Sequence, residues 1–340
     1  MMKTVLTKAG TIGTVLAAVI CLSAGVAHAD PAPSGGPIIC ATSGPVVVIE
    51  TNVRLTHDVD CGSSFLVFGS SVTMDFAGHT VHAAGISGIA EETNTLLDVT
   101  FTSGRLVLTG GTGPFRDTGQ LHFTRMGVSG GLFVNGSVSL QRSFVDGGIG
   151  IQAAQSLGVT VSDSTVRGDI TTSGGAVTLH RSRIAGSVRA FNDDFGLALS
   201  ITQNLIGGSV VVDIVAAFPP GDVQGDISHN IVWGGGISIV GELVSLGPTT
   251  VTGNVVIGGP ASGITIGGFD NRIPANLSGP VTLTGNIAVH NAGHGIDAEW
   301  VPGQVSRIVD GGHNLALLNG ADPQCIGVAC HPVFHDHEDR

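Results

Sequence analysis

The chain of 340 residues contains 53 glycines, no tyrosine and only 12% charged residues, so Ser, Thr, Asn and Gly must form most of its surface. Abundant Val, Ile and Leu exclude intrinsic disorder. Both lysines, Lys3 and Lys8, sit at the N-terminus; the remainder sets 12 Arg against 26 Asp plus Glu, a net charge of −14. That acidity disfavours nucleic acid, anionic membrane surfaces and acidic polysaccharides, unless arginine is concentrated locally.

In chain order, the first element is a targeting segment. Lys3 and Lys8 precede the apolar run "IGTVLAAVICLSAGVA" and the small residues Ala27 and Ala29 of "AHAD". This predicts a secretory signal over residues 1–29, and hence export from the cell. No later run is long and apolar enough to span a membrane. Residues 30–37, "DPAPSGGP", read as a flexible leader. Four cysteines then remain, Cys40, Cys61, Cys325 and Cys330, an even number at the two ends of the chain. Of their three possible pairings, Cys40–Cys61 and Cys325–Cys330 are favoured.

The body of the chain repeats one phrase. "SITQNLIGGSVVV" (200–212) returns as "DISHNIVWGGGISIV" (226–240), "TVTGNVVIGGPASGITIG" (250–267) and "TLTGNIAVHNAGHGIDA" (282–298). Aligned on their corner residue, the copies give Ser143, Ser164, Ser182, Asn204, Asn230, Asn254, Asn286 and Asn314. A period of about 20–30 residues, with polar–apolar alternation on both sides of the corner, predicts a solenoid built from strands. The fold class expected is all-β: a right-handed, single-stranded parallel β-helix of roughly ten or more coils over residues 38–330, followed by a His- and acid-rich tail, 331–340. Each Asn is expected to occupy a left-handed bend and to form a ladder with its neighbours. The Gly pairs mark the next bend. Cys40 and Cys61 lie 21 residues apart, about one coil, which brings them within disulfide reach.

The stretch "VRLTHDVDCGSSFLVFGSSVTMDFAGHTV" (53–81) resembles the opening of secreted parallel β-helix repeat proteins of actinobacterial type, in the pectate-lyase-like superfamily. The closing stretches "GNIAVHNAGHGIDA" and "GGHNLALLNGADPQCIGVAC" are similar as well. The resemblance implies the fold and suggests that a polysaccharide would lie along one parallel sheet. It does not by itself imply an activity.

On that basis the strand after the Gly pair is the one to inspect. Its outward residues are expected to be Phe133/Asn135, Gly150/Gln152, Thr171/Ser173, Arg189/Phe191, Val211/Asp213, Ser238/Val240, Thr265/Gly267 and Asp297/Glu299. Within "SVRAFNDDFG" (187–196), Arg189 with Asp193, Asp194 and, one coil on, Asp213 forms the minimum set for a β-eliminating lyase. Ca²⁺ held by the aspartates would acidify the sugar C5 proton and Arg189 would remove it. Phe191 and Asn192 would contact the sugar. The bland alternative is a polar loop with a solvated arginine. Paired carboxylates could also serve inverting hydrolysis, but Asp194 and His294 of "NAGHG" are 100 residues apart, too far along the stack for one hydrolase site.

A further column precedes the corner residue: Arg125, Arg142, Asp163, Arg181, Gln203, His229, Gly253, Gly285 and His313. It reads either as an anion-binding stripe or as an exposed edge in which Asp163 relieves the repulsion between Arg125 and Arg142. In the tail, His331, His335 and His337 with Asp336, Glu338 and Asp339 are able to bind transition metals weakly, or simply form a polar terminus.

The leading expectation is a secreted, non-catalytic glycan-binding protein or scaffold associated with the cell envelope, with a polysaccharide or envelope glycan as partner and no cofactor. The alternative is a Ca²⁺-dependent lyase acting on a uronate polymer, and the third reading is a glycoside hydrolase.

Overall fold

The computed structural model describes residues 40, 46–69, 71–88, 97–109, 119–152, 158–192, 196–214, 223–241, 246–267, 279–298 and 308–331. The chain divides into Met1–Ala32 and Pro33–Arg340. The first unit, with the expected signal sequence, lies outside the described residues, as does the whole of the leader. So do Asp193, Asp194, Glu299 and the tail beyond His331.

Among the described residues every element is a strand, and each strand pairs in parallel with its equivalent one coil on. The fold is a parallel β-helix. Three sheets run along the stack. The first runs from Val53–Arg54 to Ile308–Asp310 and the second from Val59–Asp60 to Leu315–Leu317. The third begins with Val46–Ile49, Phe65–Phe68 and Gly85–Gly88, then resumes at Leu132 and continues to Cys325–Ile326. The first and second sheets each hold twelve strands among the described residues, in line with the ten or more coils expected. Among the described residues no helix is long and apolar enough to cross a membrane.

Alternation drives this arrangement. In a strand, successive side chains face opposite sides of the sheet. The apolar member of each pair turns inward, and Val, Ile, Leu and Ala from all three sheets fill one continuous core. The first coils add aromatic mass. Phe101 and Phe123 stack with centroids 4.9 Å apart, and Phe68 meets Phe101 edge-on at 5.2 Å.

The corner between the first and second sheets is a hydrogen-bonded ladder. Asn204, Asn230, Asn254 and Asn286 each donate their backbone N–H and side-chain amide to the Oδ1 of the next Asn, at 2.9–3.1 Å. The other amide proton goes to a carbonyl of the preceding coil, as from Asn230 to Ile201. Earlier coils continue the column with serine: Ser143 donates its N–H to Ser164 Oγ, Ser164 to Ser182 Oγ and Ser182 to Asn204 Oδ1. At the far end Asp310 takes the place of a further rung. It accepts from Ala329 N–H, Gly312 N–H and the Asn314 amide, and these bonds, that of Ala329 foremost, hold its carboxyl below its ordinary pKa.

The expected left-handed conformation falls one residue earlier than the Asn. Arg125, Arg142, Asp163, Arg181, Gln203, His229 and His313 have φ between 46° and 60°, with Gly253 and Gly285 at 64° in the same column. The ladder explains the shift. Each Asn must bury its amide to reach both neighbouring coils, so the chain reverses on the exposed residue before it. The Gly pairs serve close backbone approach, since a Cβ on Gly235 would come within 2.5 Å of the Gly208 carbonyl carbon one coil away, and at Gly130, Gly234 and Gly258 they also supply a positive φ.

Both expected disulfides are present. Cys40–Cys61 joins Cα atoms 5.1 Å apart and Cys325–Cys330 joins Cα atoms 6.0 Å apart. Such bonds suggest an oxidising, extracellular environment.

Candidate functional site

The third sheet presents the two outward rows expected from alternation. Register places Phe133, Gly150, Thr171, Arg189, Val211, Ser238, Thr265 and Asp297 in one row. Asn135, Gln152, Ser173, Phe191, Asp213, Val240 and Gly267 form the other. Their inward neighbours, among them Leu132, Ile149, Ile170, Val188 and Val210, are buried and fix the strand so that these side chains can only point out.

A cleft of about 420 Å³ opens at the first three coils of this strip. Gly150 creates it. A Cβ there would lie 2.5 Å from Phe133 Cδ1 and 2.9 Å from Cε1, so the ring leans over the glycine. Phe133 is nevertheless 58% exposed. Beside the ring stand the amides of Asn135 and Gln152 and the hydroxyls of Thr171 and Ser173. An exposed aromatic face next to amides and hydroxyls suits a ligand with an apolar C–H face and a rim of hydroxyl groups, which is the chemistry of a sugar ring. Among the described residues the lining includes no carboxylate and no histidine.

Arg189 and Phe191 lie one coil beyond Thr171 and Ser173 on the same face. Arg189 is exposed, and Asp213 stands directly opposite Phe191 in the next coil. The lyase set is therefore placed in part. Arg189, Phe191 and Asp213 share the outward strip, and Arg189 and Asp213 are diagonal neighbours. Asp193 and Asp194 lie outside the described residues, as does the side chain of Asn192. Of the expected Ca²⁺ ligands only Asp213 is described, and no group of three or more His, Cys, Asp or Glu residues converges among the described residues.

His294 is held at a corner of the coil. Its backbone N–H donates to Ser262 Oγ, and its Nδ1 lies 2.6 Å from the Pro323 carbonyl oxygen. Asp163 does not sit between Arg125 and Arg142 as a charge screen. Both its oxygens are taken by Arg181, from Nε at 2.8 Å and Nη2 at 3.0 Å. A second amide ladder, from Gly259 through Asn291 and Asn319 to Gln324, was not anticipated. Its signal was present: Gly259, Asn291 and Asn319 each follow the corner Asn by five residues.

No protein-family model, curated protein or solved structure matches the chain, so the reading of function rests on the geometry of the site itself.

Proposed function

We propose that this is an exported, non-catalytic glycan-binding β-helix, holding a saccharide in the third-sheet cleft with one sugar ring stacked on Phe133. The observation that carries the reading is the pairing of Phe133 with Gly150, which sets a ring that is 58% exposed beside four polar side chains. The disulfides and the N-terminal targeting signal support export. The resemblance of both chain ends to secreted β-helix proteins of the pectate-lyase-like superfamily supports a ligand lying along a parallel sheet.

The test is a panel of neutral and acidic polysaccharides, with Ca²⁺ or with chelator. Retention in affinity electrophoresis is read beside unsaturated-uronate absorbance and reducing ends. The expected result is retention by at least one neutral glycan with no product, and about tenfold weaker binding of that glycan by Phe133→Ala, the value of one aromatic contact. Ca²⁺-dependent absorbance that disappears in Arg189→Ala would replace this reading with the uronate lyase. Reducing ends without absorbance would favour the hydrolase. Failure of every glycan to bind would overturn the proposal.

A further inference from the structure

The outward face of the second sheet, with the corner column beside it, gathers six of the chain's arginines: Arg105, Arg125, Arg142, Arg167, Arg181 and Arg183. All six are exposed. They fall on five consecutive coils, roughly 20 Å of the stack at the spacing of neighbouring strands.

Two of them are neutralised. Arg167 Nη1 lies 3.2 Å from Asp146 Oδ1, and Arg181 grips Asp163 through two hydrogen bonds. Arg105 meets only the Ser129 hydroxyl. Arg125, Arg142 and Arg183 carry no ion pair among the described residues. Four uncompensated cations thus share one face of a strongly acidic chain.

Their placement costs stability. Arg125 and Arg142 stand one coil apart, and like charges on neighbouring strands repel. Both hold φ near 50°, where a residue other than glycine is disfavoured by roughly 1–2 kcal/mol. Gly253 and Gly285 take the same column position in later coils, so the fold accepts glycine there. A self-repelling cationic pair is the kind of feature that a bound anion relieves.

We propose that this face binds an acidic polysaccharide, its chain running along the stack and its carboxylates or sulfates meeting Arg105, Arg125, Arg142 and Arg183. Arginine's planar fork matches carboxylate and sulfate groups in bidentate fashion. A glycan fits better than a nucleic acid. The disulfides indicate an oxidising setting, and Phe144, the aromatic ring of this face, lies under the Arg167 guanidinium at 5.1 Å rather than open to a base. The inference does not depend on the Phe133 cleft, which lies on another sheet.

The test uses the residues that other coils place at the same positions. Arg125→Gly, Arg142→Gly and Arg183→Thr copy Gly253, Gly285 and Thr165. Binding of the whole protein to polygalacturonate, heparin, dextran and duplex DNA is measured across a salt series, with circular dichroism to confirm folding. The wild type is expected to bind at least one of the two acidic glycans at low salt and to lose it as salt rises. The triple variant should bind about tenfold more weakly, with a salt slope lower by about one per arginine removed. Phe133→Ala should leave this binding unchanged, which separates the two sites. If the triple variant fails to fold, Arg142→Gly alone should weaken binding about two- to threefold. Equal binding by the folded variant, no binding of the wild type to either acidic glycan, or tighter binding to DNA would overturn the proposal.

Discussion

The early and late coils of this β-helix share one backbone geometry and differ in nearly everything attached to it. The first coils carry an aromatic core, the next three carry serine corners over an aliphatic core, and across both the outer row of the second sheet reads Arg105, Gly127, Phe144, Thr165, Arg183. The late coils use asparagine corners, an aliphatic core and an outer row of Leu205, Ile231, Val255, Ile287 and Leu315. Trp233 stands beside that row, 62% exposed. The difference teaches that the repeat constrains what points inward and at the corner, while the outward rows are free to vary. An Asn corner donates three protons to its neighbours in the stack. A Ser corner donates its N–H to the next coil and has one hydroxyl proton, which Ser143 Oγ can place on either of two carbonyls, those of Phe123 and Gln141.

The largest effect should come from the aromatic core. Phe101→Ala removes a ring packed against Phe68 and Phe123 and should cost about 4 kcal/mol in chemical denaturation. Next come the corners. Asn254→Ala strips its two side-chain amide bonds, keeps its own backbone N–H bond to Asn286, and orphans the Asn230 amide and N–H, for about 3 kcal/mol, whereas Ser164→Ala should cost about 1 kcal/mol. Equal losses at the two corners would break the distinction between early and late coils.

A smaller effect is expected at acid pH. The Asp310 carboxyl titrates below its unfolded value, so its contribution is fully present above about pH 4 and fades as pH falls through the lower folded value. Asp310 is exposed, so the effect is local and modest. Hydrogen-exchange protection at Gly312 and Ala329, relative to the intrinsic rate at each pH, should fall below about pH 4, and Asp310→Asn should flatten that fall. The smallest change is a gain. Gln203→Gly relieves a left-handed residue against a larger entropy of the unfolded chain, for a net stabilisation of about 0.5 kcal/mol.

Much of this was legible in the sequence because a stacked repeat turns sequence period into spatial contact. The corner column from Ser143 to Asn314, the outward rows of the third sheet and both disulfides follow from spacing alone. What escaped depends on pairing between coils. The cleft exists because Gly150 faces Phe133 seventeen residues earlier, and nothing in "GGIGIQ" says which ring will lean across it. Asp163 lies one coil from Arg142 on one side and from Arg181 on the other. Only side-chain geometry decided that it grips the second, and that choice leaves Arg125 and Arg142 uncompensated. The left-handed residue was misplaced by one because the demand of the ladder for a buried amide outweighs the tolerance of asparagine for positive φ.

The most direct test of the central claim is calorimetric titration of the wild type, Phe133→Ala and the triple arginine variant with a neutral oligosaccharide cut from the glycan the protein retains. The account predicts a saturable heat with no product, Kd about tenfold weaker in Phe133→Ala and unchanged in the arginine variant. An unchanged Kd in Phe133→Ala would contradict it, because the sugar would then not lie on the third sheet.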